Sequence, residues 1–183
     1  ITRNTGGAGT TSGFTGGVGG VDASGQFSTL VNCVITNNIG GPSAAGCARS
    51  GGVSSVTGSL RIINCTVTGN SLHPIQQCTP ASSTRCGGVF VGGGGTYQPQ
   101  IRNSIIWGNQ DLDLRTLVPT TVTNSDIEGG AAGVGNISAD PLFVAPLSND
   151  YHLAASSPCL DAGSDAQVHL PPTDFEGDPR VIG

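Results

Sequence analysis

The sequence contains no lysine and no methionine, and charged residues make up only 10% of its 183 residues. All seven basic residues are arginines spread along the chain, and the formal net charge is −5. Such a chain lacks the basic surface that attracts nucleic acid or an anionic membrane. No apolar run approaches the roughly 20 residues of a membrane-spanning helix. We therefore predict no nucleic-acid partner and no direct membrane span.

Glycine, by contrast, is abundant, with 30 residues, and hydrophobic residues make up 36% of the chain. Disordered chains combine few apolar residues with high net charge, so this composition favours a folded protein. Many glycines indicate tight turns or backbone packed against backbone. No window has the periodicity of an amphipathic helix, which favours an all-β fold.

A short motif that begins with asparagine recurs along the chain. In its first three copies a Gly-Gly-Val triplet stands upstream, and in every copy an aliphatic residue lies two positions before the asparagine. The copies read NCVITNN from Asn32, NCTVTGN from Asn64, NSIIWGN from Asn103 and NSDIEGG from Asn124, and the triplets end at Val21, Val53 and Val89.

The spacing between the copies is irregular while the motif itself stays constant. This combination is typical of stacked coils that carry loops of different length. The short β-branched runs bounded by Gly and Asn indicate strands. We predict an all-β, right-handed parallel β-helix (β-solenoid) with irregular loops over residues 1–130, and a closing segment of the same domain over 131–183. The predicted rows are 1–4, 19–38, 51–70, 87–109 and 118–130.

Like residues of successive coils would lie directly above one another, about 4.8 Å apart. Stacked asparagine amides can then form hydrogen bonds along the column. We predict two such structural ladders, Asn32, Asn64, Asn103 and Asn124 in the first, and Asn38, Asn70 and Asn109 in the second. The residue after each first-ladder asparagine would point inward, in a column of Cys33, Cys65, Ser104 and Ser125.

The Gly-Gly-Val triplet and the aliphatic-x-Asn pattern resemble the GGA[ILV] and FxxN repeats of polymorphic outer-membrane proteins, with Val after the glycine pair, Ile or Val in place of Phe and one residue fewer before the Asn. The ending ADPLFVAPLSNDYHLAASSPCLDAG, followed by TDFEGDPRVIG, resembles the end of bacterial choice-of-anchor Q β-helix proteins. The resemblance implies export and surface display without a single activity. Both ends stop inside a motif, so we expect the chain to be part of a longer exported protein.

One outward face of the predicted stack brings together an aromatic ring and several acids. Trp107, Asp126 and Glu128 fall on this face, with Asp111 and Asp113 in a nearby loop. Asp126 and Glu128, two apart on one strand, would be separated by about 6.5–7 Å, near the lower limit for inverting glycosidases. A glycan-binding or hydrolytic site is one interpretation. The other, which we favour for catalysis, is a loop-covered Trp beside solvated acids.

Three further kinds of site are weaker in the sequence. A polysaccharide lyase would need a basic residue to take a proton, and no lysine is present. The histidines, His73, His152 and His169, are far apart and form no legible catalytic arrangement. Acidic residues near the C-terminus would fit calcium, although we favour turn capping for them. They are Asp161, Asp165, Asp174, Glu176 and Asp178.

Six cysteines without zinc-type spacing favour an exported protein. Cys33 and Cys65 would remain buried thiols, since directly stacked neighbours have poor geometry for a bridge. We place Cys47, Cys78 and Cys86 in projecting loops, where Cys78–Cys86 or Cys47–Cys78 would form a disulfide. Cys159 is expected in the core of the SPCLDAG turn.

The predicted function is therefore a non-catalytic, secreted or cell-surface module with a structural, adhesive or glycan-binding role. Its expected partners are a glycan or a cell-surface macromolecule, and open coil ends would permit end-to-end self-association. The alternative is a carbohydrate-active enzyme that uses the Trp107, Asp126 and Glu128 face.

Overall fold

The computed structural model describes residues 1, 4, 17–25, 27–41, 50–73, 85–93, 97–165, 172–174 and 176–179. Within these ranges the regular structure is sixteen β-strands and a single 3-10 turn, η1 (Pro146–Ser148). The strands are β1 (Val21–Asp22), β2 (Phe27–Val31), β3 (Val34–Thr36), β4 (Ile39–Gly40), β5 (Val53–Ser55), β6 (Ser59–Ile63), β7 (Thr66–Thr68), β8 (Ser71–Leu72), β9 (Val89–Val91), β10 (Gln100–Arg102), β11 (Ile105–Trp107), β12 (Leu114–Thr116), β13 (Thr121–Thr123), β14 (Asp126–Ile127), β15 (Phe143–Ala145) and β16 (Asp150–Leu153).

Twelve of these strands form three four-stranded sheets in which every pairing is parallel. Sheet I has the order β1-β5-β9-β12, sheet II β13-β10-β6-β2 and sheet III β14-β11-β7-β3. A short parallel pair, β4-β8, and an antiparallel pair, β15-β16, complete the strands. The all-β class with parallel sheets is therefore confirmed. No helix in the described ranges is long and apolar enough to cross a membrane.

The register places equivalent letters of the repeated motif opposite one another. Val21 pairs with Val53 and Val53 with Val89, so the three Gly-Gly-Val triplets align in sheet I. The aliphatic residues of sheets II and III form two more columns, and all three columns contribute to one apolar core. Those two columns are Leu30, Ile62, Ile101 and Val122, and Ile35, Val67, Ile106 and Ile127.

The glycine pairs allow neighbouring segments to pack backbone against backbone. A Cβ on Gly88 would lie less than 3.0 Å from the carbonyl oxygen of Asp113, closer than real Cβ atoms approach. A Cβ on Gly51 would meet the backbone of Ser71 in the same way. Glycine is required here because of space, not because of a positive φ.

The bend between sheet II and sheet III falls on the first-ladder asparagines. All four have left-handed backbones, which asparagine tolerates better than most residues. Their φ values are 52° for Asn32, 51° for Asn64, 48° for Asn103 and 48° for Asn124. The motif therefore begins with Asn because the chain turns a corner at that residue.

An amide ladder among these four residues was wrongly predicted. Asn32 Nδ2 donates to Thr173 O at 2.9 Å, and Asn103 Nδ2 donates to Ser164 O at 2.7 Å. Among the described residues, Asn64 Nδ2 has no hydrogen-bond partner. Asn32 and Asn103 therefore bond the C-terminal segment and not each other.

The second set of asparagines does form a continuous hydrogen-bonded column. Asn4 Nδ2 donates to Asn38 Oδ1 at 3.0 Å, and Asn38 Nδ2 donates to Asn70 Oδ1 at 2.9 Å. Asn70 Nδ2 donates to Asn109 Oδ1 at 2.9 Å, and Asn109 Nδ2 to Asp113 Oδ1 at 2.7 Å. Asn38, Asn70 and Asn109 are buried, at 0%, 1% and 9% exposure. Asp113 ends the column by supplying the acceptor that a further asparagine would have supplied.

The C-terminal segment returns along the outside of sheet III. Its antiparallel pair packs Phe143 edge-on against Tyr151, with ring centroids 5.5 Å apart. Asn37 Nδ2 donates to Tyr151 Oη at 2.9 Å, and Asn103 holds Ser164 further along. The segment therefore covers the outer face of the sheet whose strands carry Trp107 and Asp126.

Candidate functional site

A groove of about 1310 Å3 lies between the outer face of sheet III and the C-terminal segment. Its floor contains the outward column Val34, Thr66, Ile105 and Asp126, which the strand register aligns. Its wall includes Tyr151 to Leu153 and residues 159–165. The fold thus turns the predicted acidic face into a partly covered cleft.

Asp126 is buried in this groove, whereas a solvated acid was predicted. Only 3% of Asp126 is exposed, because the C-terminal segment covers it. Its Oδ2 accepts a hydrogen bond from Cys159 Sγ at 3.1 Å, and its Oδ1 accepts one from Ala139 N at 3.1 Å. Burial and the nearby Asp126 carboxylate raise the pKa of the Cys159 thiol to about 12. Asp126 therefore fastens the C-terminal segment to the sheet.

Trp107 and Glu128 lie on the same outward face, at the margin of the covered region. Trp107 is opposite Thr68 in the register, and Glu128 N donates to Ile106 O at 3.1 Å, which places Glu128 beside Trp107. Trp107 is half-buried and Glu128 is exposed. The Glu128 carboxylate accepts a hydrogen bond from Gly108 N at 2.7 Å, so it caps the backbone of the neighbouring row.

Asp113, in the loop beside this face, interacts with Glu128. Asp113 Oδ1 accepts from Asn109 N at 3.0 Å and from Asn109 Nδ2 at 2.7 Å. Burial raises the pKa of Asp113 to about 6; the Asn109 hydrogen bonds oppose the rise, and a hydrogen bond with Glu128 adds to it. Asp111 forms an ion pair with Arg85 instead, with Asp111 Oδ2 2.7 Å from Arg85 Nη2.

Cys33 and Cys65 stack directly in the groove floor, and both are free thiols, as predicted. Their sulfurs donate to Val31 O at 3.3 Å and to Ile63 O at 3.2 Å, so both side chains adopt the same orientation. The neighbouring Cys65 side chain lowers the pKa of Cys33 to about 6, and Cys33 together with burial raises the pKa of Cys65.

Cys86 is a buried free thiol, which corrects its placement in a projecting loop and in a disulfide. It lies just before β9, and its sulfur donates to Val89 O at 3.2 Å and to Leu112 O at 3.1 Å. Burial raises the pKa of Cys86 to about 12. The other two disulfide candidates, Cys47 and Cys78, lie outside the described residues.

The acids near the C-terminus have the geometry of a capped turn. The side-chain oxygens of Asp174, Glu176 and Asp178 lie within 4.8 Å of one another, whereas Asp161 and Asp165 are not in the cluster. Asp174 Oδ1 accepts from the backbone nitrogens of Glu176, Gly177 and Asp178, at 2.9, 2.9 and 3.0 Å. These bonds make Asp174 the cap of a tight turn.

His152 connects the β15-β16 hairpin to this turn. Its Nδ1 lies 2.6 Å from Asp150 Oδ1, and its Nε2 lies 2.8 Å from Glu176 Oε2. The hydrogen bond with Asp150 is the largest cause that raises the pKa of His152, and the hydrogen bond with Glu176 is the next largest. His152 in turn lowers the pKa of Asp150. His73 lies after β8, and His169 is outside the described residues.

An aromatic cluster on sheet II was missed by the sequence reasoning. Phe27 and Tyr97 pack edge to face with centroids 6.2 Å apart, and Arg61 Cζ lies 5.0 Å from the Phe27 centroid. Both rings are exposed, Phe27 at 48% and Tyr97 at 62%. The one sequence signal for this cluster is that the row alignment places Phe27 opposite Ser59. Tyr97 stands outside the repeated motif, so the alignment does not include it.

Comparisons of the chain with family models, with curated proteins and with solved structures find no match.

Proposed function

We propose that the chain is part of a right-handed parallel β-helix that serves as a non-catalytic structural and adhesive module outside the cell. The observation that carries this proposal is the buried column Asn38, Asn70 and Asn109 between in-register parallel strands. Such a column repeats one interaction along the stack axis, as a solenoid does. Parallel crossovers are right-handed in nearly all proteins, which supports the hand.

The bonding of the acids supports a non-catalytic role. Asp126 accepts from Cys159 and Ala139, Asp113 accepts twice from Asn109, and Glu128 accepts from a backbone amide. A general acid and a general base need separate positions on either side of a scissile bond. These carboxylates instead stabilise the end of the stack and the C-terminal segment.

Export is supported by the resemblance to surface-displayed β-helix proteins and by the low charge of the chain. The test is antibody labelling of intact source cells, compared with the same cells after lysis. Labelling of intact cells is expected. Labelling that requires lysis would refute the surface location.

The non-catalytic role is tested by reducing-sugar release from a panel of polysaccharides, with the wild type and Glu128→Gln. We expect no release above the blank from either protein. Release by the wild type that disappears in Glu128→Gln would replace this proposal with a carbohydrate-active enzyme.

Glycan binding is a second candidate, and the exposed pair of Phe27 and Tyr97 favours it. Exposed aromatic rings offer apolar faces on which sugars stack, and Arg61 beside them supplies hydrogen-bond donors. The test is a glycan array probed with the wild type, Tyr97→Ala and Trp107→Ala. Loss of binding in Tyr97→Ala alone supports this cluster, whereas loss in Trp107→Ala alone moves the site to the face with Glu128.

A further inference from the structure

The stacked thiols of Cys33 and Cys65 have no role in the proposed adhesive function. Thr66 N donates to Cys33 O at 2.9 Å, and the flanking pairs Val31–Ile63 and Val34–Thr66 are in register. The two cysteines therefore lie directly opposite each other on adjacent parallel strands. Their sulfurs each donate to the carbonyl two residues earlier, so the side chains run parallel to each other.

The strand spacing decides which chemistry these sulfurs fit. In-register side chains on adjacent strands have Cβ atoms separated by about 4.8 Å. A disulfide needs Cβ atoms about 3.8 Å apart, so forming one would pull the two rows together by about 1 Å. Two metal–sulfur bonds of about 2.3 Å, arranged in a line, span about 4.6 Å. One ion between the sulfurs therefore fits the spacing that the stack already has.

The ligands around the pair select a soft ion of low coordination number. Cys65 N donates to Ser104 Oγ at 3.1 Å, and Ser104 N donates to Ser125 Oγ at 3.2 Å, so the same column continues with hard hydroxyl oxygens. Structural zinc requires four nitrogen or sulfur ligands, whereas this column supplies two sulfurs. Thiolates without harder partners favour Cu(I) among the biological metals.

An ion can reach the pair from the solvent. Both cysteines line the groove beneath the C-terminal segment. Cys65 is only 2% exposed and packs in the apolar core, so the half-buried Cys33 is the point of entry. The same groove contains Cys159, whose sulfur is engaged with Asp126. The fold thus provides an entry path and a third thiol that serves as an internal comparison.

We propose that Cys33 and Cys65 form a two-coordinate site for a soft monovalent metal ion of the Cu(I) class. Binding forms two sulfur–metal bonds and releases the two thiol protons to solvent, with no change in oxidation state. The site is independent of the proposed adhesive role, because it uses the groove floor and neither aromatic face.

The experiment is an anaerobic titration of the reduced protein with Cu(I) held by bicinchoninate, whose colour reports the free complex. We compare the wild type with Cys33→Ser, Cys65→Ser and Cys159→Ser. Serine is a conservative choice, because it occupies the same column at Ser104 and Ser125. We expect Cys33→Ser and Cys65→Ser each to lower the affinity for one Cu(I) ion by more than about 100-fold. Even changes to residues outside the ligand shell reach a loss of that size. Cys159→Ser should retain that ion.

A gain-of-ligand variant tests the column geometry without removing a thiol. Ser104→Cys extends the column to three sulfurs, and we expect tighter binding or a second ion. Far-UV circular dichroism confirms that each variant is folded. Equal Cu(I) uptake by the wild type, Cys33→Ser and Cys65→Ser would overturn the proposal, as would a Cys33–Cys65 disulfide in the protein prepared without oxidant.

Discussion

The Asn70 side chain makes five hydrogen-bond contacts, and its replacement tests the column directly. Its Oδ1 accepts from Asn38 N at 3.0 Å and from Asn38 Nδ2 at 2.9 Å. Its Nδ2 lies 2.9 Å from Ile35 O, 3.1 Å from Thr68 O and 2.9 Å from Asn109 Oδ1. Removing the amide therefore leaves partners unsatisfied both above and below.

Asn70→Ala leaves two buried donors of Asn38 without their acceptor, and each such loss costs about 1–3 kcal/mol. Water cannot replace the amide easily, because Asn38 and Asn70 are only 0% and 1% exposed. We expect a loss of about 3–5 kcal/mol in the free energy of unfolding, a large part of the roughly 5–15 kcal/mol of an ordinary domain. Asn70→Asp should cost more, because a carboxylate cannot donate to the three acceptors that Nδ2 faces.

The measurement is urea denaturation followed by circular dichroism and by the fluorescence of Trp107, the single tryptophan. Asn4→Ala is the matched control, because Asn4 has the same contact with Asn38 but is exposed at the end of the column. We expect this control to cost no more than about 1 kcal/mol. Equal destabilisation by the Asn4 and Asn70 alanine variants would refute a cooperative buried column.

Two further predictions use the same denaturation assay. Gly88→Ala should lower the free energy of unfolding by about 1–3 kcal/mol through overpacking, since its Cβ would meet the backbone of Asp113. Gly25→Ala is the control and should be neutral, because no atom lies within 4 Å of a Cβ at that position. Equal effects of the two variants would contradict the close-packing argument. The pKa of Asp113 is raised to about 6, so the folded state holds its proton more tightly, and this group's contribution to stability is lost as pH rises from about 4 to about 6. Asp113→Asn keeps the Oδ1 acceptor for Asn109 and should abolish this fall in stability between about pH 4 and about pH 6. At neutral pH the variant should be more stable by about 1–2 kcal/mol after solvent screening. An unchanged pH profile would show that Asp113 is not the titrating group.

The repeated motif predicted the core and the parallel register for a simple physical reason. In a parallel stack the neighbour of a residue is its equivalent in the next row, so an alignment of letters is also a map of contacts. Ile35, Val67, Ile106 and Ile127 could be placed in one column in this way, and so could the three Gly-Gly-Val triplets. The bend at each row asparagine follows from its tolerance of a left-handed backbone.

The same reasoning failed where contacts join parts of the chain that are unrelated by the repeat. Asp126 was expected in solvent, but Cys159 covers it, and the row asparagines were expected to bond one another, but Asn32 and Asn103 hold the C-terminal segment. Asp113 was expected in a loop near Glu128, but its burial and its two hydrogen bonds from Asn109 were not predicted. The sequence by itself determined the rows, the apolar columns and the class of fold, since these depend on local periodicity. Only the tertiary structure decided which polar groups are buried, paired or open to a ligand, since this depends on the path of a segment that follows no repeat.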